Sequence, residues 1–132
     1  MKSYSLDYIV KADDIDAFGH VNNVSYLRWF NNIAAEHCEF VGYGGKKMWE
    51  DGFGWIIKSH KIEYLIALKP YQRIKIITEI EWIKAASSLR KYKVLNEAGD
   101  ICALGETLWV WVNYKTGKPC RTPEEIIRKF NS

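Results

Sequence analysis

The sequence is poor in cysteine, in proline and in long hydrophobic runs, and each absence excludes a class of protein. Its three cysteines, Cys38, Cys102 and Cys120, are widely spaced and form no C-x-x-C pair. A zinc site or a disulfide framework is therefore not expected, and reduced thiols are typical of a cytoplasmic protein. No apolar run reaches the length of a membrane span, and the segment MKSYSLDYIV lacks the apolar core of a signal peptide. We therefore expect a cytoplasmic location and no membrane partner.

The sequence also lacks a strong excess of charge of either sign. Nineteen basic and 16 acidic residues leave a formal net charge of +3, without the basic stripe of a nucleic-acid-binding surface. At 132 residues the chain has room for one core of ordinary size, so we predict a single domain over residues 1–132. Six tryptophans and eight tyrosines supply large side chains for that core.

One long helical pattern lies among strand patterns. A first strand is predicted over Tyr4–Asp13, and apolar residues then recur at three- and four-residue steps from Asn23 to Val41 until Gly42, Gly44 and Gly45 end the helix. Four further strands are predicted over residues 53–68, 73–83, 88–97 and 101–114, with a turn at residues 98–100, and a short helix over residues 122–130. The order is strand, long helix, then four strands meandering back.

This order predicts an α+β fold in which one helix and one antiparallel sheet bury each other. We expect a five-stranded antiparallel sheet wrapped around the long helix. The two edge strands of such a sheet are unpaired, and part of its aromatic surface stays uncovered. Self-association removes both problems, so we predict an oligomer.

The loop before the long helix contains more polar residues than helix capping requires. Its sequence, DIDAFGHVNNVSYLRWF, spans Asp14 to Phe30. This stretch resembles the entry loop of hot-dog-fold acyl-CoA thioesterases of the 4-hydroxybenzoyl-CoA thioesterase type, and its H-V-N-N portion is similar to plant acyl-ACP thioesterases. The resemblance implies a hot-dog fold over residues 1–132 and hydrolysis of an acyl-CoA or acyl carrier protein thioester. Such hydrolysis needs no metal or redox cofactor, and the exposed sheet edges predict a homodimer or a homotetramer.

The resemblance assigns the catalytic roles to this loop. Asp16 matches the family's catalytic carboxylate, which either attacks the thioester carbonyl or deprotonates a water molecule. His20, four residues later, either bonds to Asp16 and protonates the leaving thiolate, or packs as a structural histidine. Of Asn22 and Asn23, one is expected to cap the helix and the other to hold the thioester oxygen, beside the exposed amides of the helix N-terminus.

Substrate contacts are expected in the same loop and in one hairpin. Gly19 allows a close approach of substrate to the backbone, and Tyr26 occupies the family's tyrosine position, where packing in the core is the alternative interpretation. The basic segment IKAASSLRKYK lies where related thioesterases place nucleotide contacts, and its candidate residues are Lys84, Ser87, Ser88 and Arg90.

Two other functions remain open at this stage. An acyl-thioester dehydratase would pair His20 with Glu36, although the Phe-Pro that follows Gly-His in such enzymes is replaced by Val21-Asn22. A hot-dog module that binds acyl-CoA without turnover is the second. For the acyl group, no pair of polar side chains able to recognise a hydroxybenzoyl ring is evident, and the small Ala34 and Ala35 leave room for an aliphatic chain.

Overall fold

A five-stranded antiparallel sheet wraps one long helix in the computed structural model, which describes residues 1–131. The strands are β1 (Tyr4–Ile9), β2 (Phe53–Tyr64), β3 (Arg73–Lys84), β4 (Ser87–Asn96) and β5 (Ile101–Asn113). The helices are α1 (Asn23–Phe40), α2 (Gly45–Asp51) and α3 (Glu124–Asn131), and a 3-10 turn spans Ala12–Asp14. The predicted fold class is confirmed. No helix in this part of the chain is long and apolar enough to cross a membrane.

The strand order across the sheet is β1-β3-β4-β5-β2. Strands β3, β4 and β5 form the expected meander, but β2 pairs with β5 and not with β3, its neighbour in sequence. The prediction of four strands meandering in chain order is therefore wrong. The two strands that flank α1 in sequence, β1 and β2, lie at opposite edges of the sheet, and α1 covers the sheet between them.

Helix α1 has the predicted start and ends one residue before the predicted end. It buries a stripe of apolar residues against the sheet, including Trp29, Phe30 and Ile33. The Phe30 ring stacks on Tyr92 with 4.4 Å between ring centroids. A Cβ at Gly105 would lie 2.5 Å from Cε2 of Phe30, so glycine in β5 is what lets the helix pack this closely.

Strands β1 and β2 each end four residues before the end that the sequence predicts, and helix α2 was not predicted. Strand β1 ends at Ile9, and the residues that follow form a 3-10 turn, because a buried carboxylate at Asp14 accepts a hydrogen bond from the Lys11 amide. The glycines after α1 end that helix as predicted, but α2, which was not predicted, begins at Gly45 and buries Met48 against the core. This apolar contact stabilises a short helix that its own sequence does not favour.

Candidate active site

Asp14 anchors the polar loop to β1. Its carboxylate is buried, and Oδ2 accepts hydrogen bonds from the Tyr8 hydroxyl at 2.8 Å and the Lys11 amide at 2.9 Å. Its backbone carbonyl accepts a hydrogen bond from the Asn22 amide at 2.7 Å, so Asp14 also fixes the start of α1. Burial alone would raise the pKa of Asp14, but the hydrogen bonds from Lys11 and Tyr8 outweigh it and lower that pKa. Asp14 is a structural residue of the loop.

Asp16 lies in a closed turn that we call the Asp16 loop, residues 15–21. An isolated bridge between Ile15 and Val21 closes the loop, and the Asp16 amide donates to the His20 carbonyl at 2.8 Å. Oδ1 of Asp16 accepts hydrogen bonds from the Phe18 amide at 2.9 Å and the His20 amide at 3.3 Å. Within residues 1–131, Oδ2 accepts none. The half-buried carboxylate is therefore held by one oxygen and has the other free to act as a base or nucleophile.

The two asparagines at the helix entrance have separate roles. The Asn22 side chain caps α1 by accepting a hydrogen bond from the Val24 amide at 3.0 Å. The exposed Asn23 follows at the first helical position, where the amide has no acceptor within the helix. Asn23 therefore offers both a side-chain amide and a backbone N–H at the positive end of the helix dipole, close to Asp16 in sequence.

The remaining loop residues are exposed. Gly19 has φ 81°, a left-handed conformation that permits the tight turn. Phe18 at the loop tip is 86% exposed. The backbone amide of His20 contacts Asp16, whereas its imidazole forms no hydrogen bond to another described residue. The imidazole is thus accessible to a substrate, and its expected bond to the Asp16 carboxylate is absent within residues 1–131.

Tyr26 is in the core. It is 3% exposed, and its ring makes edge contacts with Trp29 and Tyr64, each with 5.0 Å between centroids. Burial, followed by the neighbouring Cys102 and Tyr64, raises the pKa of Tyr26 to about 12. This placement agrees with the packing alternative. It also locates the first turn of α1 beside the last residue of β2.

The four hairpin candidates do not share one surface. Lys84 is exposed and Ser87 half-buried at the β3–β4 turn, but the side chains of Ser88 and Arg90 are buried, at 2% and 3% exposure. Ser88 and Arg90 differ from the residues at the turn because alternate residues of a strand point to opposite faces of the sheet, and these two point inward. Moreover, the chain enters the Asp16 loop near the Arg73 end of β3, and the turn lies at the Lys84 end, about 36 Å away along the strand.

Ser88 and Arg90 instead line a cavity of about 200 Å³ beside α1, which we call the α1 cavity. Exposed Asn31 and Ala35 on α1 lie at its mouth. Its other walls are mainly apolar and aromatic and include Ala34, Met48, Trp55 and Ile80. The space expected beside Ala34 and Ala35 is therefore present, with a buried guanidinium in its wall.

Arg90 is held by neutral groups. Its Nη1 lies 2.9 Å from Nδ1 of His37 and donates to Oγ1 of Thr78 at 3.2 Å. Burial and the positive charge of Arg90 lower the pKa of His37 to about 4, so this histidine is neutral at physiological pH and accepts through Nδ1. Sequence reasoning did not identify His37, which lies 53 positions from Arg90.

Within one chain, His20 and Glu36 do not form a dehydratase pair. His20 precedes α1, whereas exposed Glu36 is 13 residues beyond the first residue of that helix, about 20 Å along its axis. Residues 1–131 contain no group of three or more His, Cys, Asp or Glu side chains that could hold a metal ion.

Comparison with known proteins places the chain. A sequence model described as the thioesterase-like superfamily matches residues 10–130. The chain belongs to this superfamily. The resemblance inferred from the Asp16 loop is thereby confirmed.

Individual relatives are distant. The acyl-CoA thioesterase YbgC of Haemophilus influenzae is 23% identical over 130 residues, covering 97% of this chain and 94% of that protein. A Staphylococcus aureus structure named as a DHNA-CoA thioesterase aligns with a TM-score of 0.89 and 19% identity, covering 99% of this chain and 90% of the other. A Lactobacillus plantarum protein named as an oleoyl thioesterase aligns with a TM-score of 0.93 and 14% identity over 99% of this chain, which spans only 51% of that protein. The structural likenesses show the hot-dog fold.

Proposed function

We propose that the protein hydrolyses acyl-CoA thioesters to a carboxylic acid and free CoA, with Asp16 as the reacting carboxylate. The observation that carries this proposal is the state of the Asp16 carboxylate, with Oδ1 fixed by two amides and Oδ2 open. Membership of the thioesterase-like superfamily supports the reaction class, and the acyl-CoA thioesterase name of the Haemophilus relative supports CoA as the thiol.

The reaction uses groups of the loop and the helix entrance. As a general base, Asp16 takes a proton from water while the water oxygen adds to the thioester carbonyl carbon. As a nucleophile, Oδ2 adds to that carbon, the CoA thiolate leaves to give an anhydride, and water then cleaves the anhydride to the carboxylic acid and free Asp16. In either case the Asn23 amides stabilise the oxyanion, the carbon–sulfur bond breaks, and the CoA thiolate takes a proton from His20 or water.

We further propose that two copies pair through β2. This edge strand is 12 residues long, and large apolar side chains are exposed on it and just beyond it. They are Phe53, Ile56, Ile57, Tyr64, Leu65 and Ile66. A long unpaired edge with exposed apolar side chains at both ends favours pairing with another strand, and a second copy offers an identical edge in antiparallel orientation.

This pairing would complete the active site. A two-fold axis beside β2 places the Tyr64 end of one chain next to the Phe53 end of the other. The Asp16 loop lies near the Tyr64 end, through the contact of Tyr26 with Tyr64, and the β3–β4 turn lies toward the Phe53 end. Lys84 and Ser87 of one copy would then approach the Asp16 loop of the other, which allows them to contact the CoA nucleotide.

The test is a panel of acyl-CoA thioesters from acetyl to palmitoyl, with release of free thiol as the measured signal. If the protein hydrolyses the thioester, free thiol and carboxylic acid are released in equal amounts. A dehydratase acting on a 3-hydroxyacyl-CoA would form an enoyl product without thiol, and a binding module would show affinity without either product. Either of the last two results would contradict the proposed function.

A further inference from the structure

The α1 cavity contains a buried positive charge that no acid in residues 1–131 neutralises. The Arg90 side chain lies in the cavity wall and is 3% exposed. Salt bridges form at Lys46, Lys61 and Lys91, and none of them includes Arg90. A buried ion without a counter-charge is strongly unfavourable, so a compensating anion is expected.

The immediate neighbours of Arg90 cannot supply that anion. His37 and Thr78 are neutral hydrogen-bonding partners, and the Phe130 ring, 5.8 Å from the guanidinium carbon, offers only cation–π attraction. Cys38 also lines the cavity, but burial raises the pKa of its thiol, which stays protonated at neutral pH.

The unused donors of Arg90 match a carboxylate. A guanidinium has five N–H donors, and both hydrogen bonds that Arg90 makes within residues 1–131 come from Nη1. Nε and Nη2 remain, and two such parallel donors form the fork that binds the two oxygens of one carboxylate. Ser88, two residues earlier on β4, lines the same cavity, and its hydroxyl has no partner in this part of the chain.

We propose that the α1 cavity binds the carboxylate end of an aliphatic chain, with Arg90 as the counter-charge and Ser88 as an additional donor. The volume of about 200 Å³ exceeds that of a cavity of about 150 Å³ able to hold benzene, so a carboxylate and several methylenes fit. Ala34, Met48 and Trp55 provide apolar contacts for the methylenes. The carboxylate has two possible sources: the far end of an ω-carboxyacyl-CoA substrate, or a free dicarboxylate.

The first source rests on the proposed function and on the proposed dimer. The cavity includes Trp55 near the Phe53 end of β2, which is the end that the Asp16 loop of the second copy would approach. An acyl chain whose thioester lies at that loop could then extend past Asn31 and Ala35 into the cavity.

The kinetic experiment compares adipoyl-CoA with hexanoyl-CoA, which have acyl chains of equal length. We expect the wild-type kcat/KM to favour adipoyl-CoA by about tenfold or more, since hydrogen bonds between charged groups contribute at this level. Arg90→Met should abolish or reverse the preference, because methionine fills the space without charge. Arg121→Met removes an exposed arginine and should retain the preference.

The binding experiment uses adipate, with hexanoate as the control ligand, in calorimetry with the wild-type protein and the same variants. Adipate binding that is lost in Arg90→Met, without a preference for adipoyl-CoA, would support the cavity and assign it to a free dicarboxylate. Ala35→Leu, at an exposed helix position, narrows the mouth and should prevent adipate binding even if Arg90→Met does not fold. If wild type neither prefers adipoyl-CoA nor binds adipate, the proposal is overturned. If the protein hydrolyses no thioester at all, only the proposed function is refuted, because adipate binding still tests whether the α1 cavity binds a carboxylate.

Discussion

Replacing Asp14 with alanine should destabilise the fold, because within residues 1–131 its carboxylate is the only acceptor for the Tyr8 hydroxyl and the Lys11 amide. The variant loses the hydrogen bonds from the Tyr8 hydroxyl and the Lys11 amide to Oδ2. Hydrogen bonds to a charged group contribute about 1.5–3 kcal/mol each, but both donors can reach water once the carboxylate is gone. We therefore expect the free energy of unfolding in urea to fall by about 2–4 kcal/mol at pH 7. Asp13→Ala, at the exposed neighbouring position, is the matched control and should change stability by less than about 0.5 kcal/mol.

The same pair of variants has a predicted pH dependence. The folded-state pKa of Asp14 lies below the ordinary value of 3.8, so its contribution is fully present above that pH and is lost as the pH falls through the folded pKa. The stability difference between wild type and Asp14→Ala should therefore shrink at pH 3. A difference that stays constant with pH, or that equals the effect of Asp13→Ala, would refute the reasoning.

Three further predictions follow from the burial, charge and edges described above. Light scattering should give the wild type twice the 15.4 kDa chain mass, and Ile57→Lys on β2 should make it monomeric, whereas Ile9→Lys on the opposite edge should not. A monomeric wild type would exclude the β2 dimer. Because the pKa of His37 in the folded protein is lowered to about 4, the free energy of unfolding of the wild type in urea should fall as the pH drops from 6.5 to 4. The His37→Gln variant should lose less stability over this range, and an equal loss in the two proteins would contradict the prediction. Lys84→Ala should raise KM several-fold for acyl-CoA but not for acyl-pantetheine. An equal rise in KM for both substrates would contradict a contact between Lys84 and the CoA nucleotide.

Capping residues and hydrophobic periodicity predicted α1, whereas α2 and the position of β2 depend on contacts between residues far apart in the sequence. The start of α1 at Asn23 was predictable because Asn22 is a capping residue and apolar residues recur on one helix face. Helix α2 was missed since its glycine-rich start favours a turn, and only the tertiary contact of Met48 favours the helix. The position of β2 was also missed, because the pairing of β2 with β5 joins residues far apart in sequence.

Part of the candidate site was likewise predictable from local sequence, and part was not. The polar segment at the entrance of α1 was predictable because Asp16, Gly19, His20, Asn22 and Asn23 lie within eight positions of the sequence. The inward orientation of Ser88 and Arg90 could have been predicted from strand alternation with Ser87. The burial of Arg90 could not have been predicted, because arginine is seldom fully buried and its partner His37 is 53 positions away in the sequence.

Asp16→Asn tests the central claim most directly. The substitution keeps a side-chain oxygen for the Phe18 and His20 amides but removes the charge of the carboxylate. With the best thioester of the panel, steady-state CoA release by this variant should fall at least a hundredfold, about 3 kcal/mol in activation free energy, while Asp13→Asn keeps wild-type turnover. CoA release by Asp16→Asn within a few-fold of wild type would contradict the account.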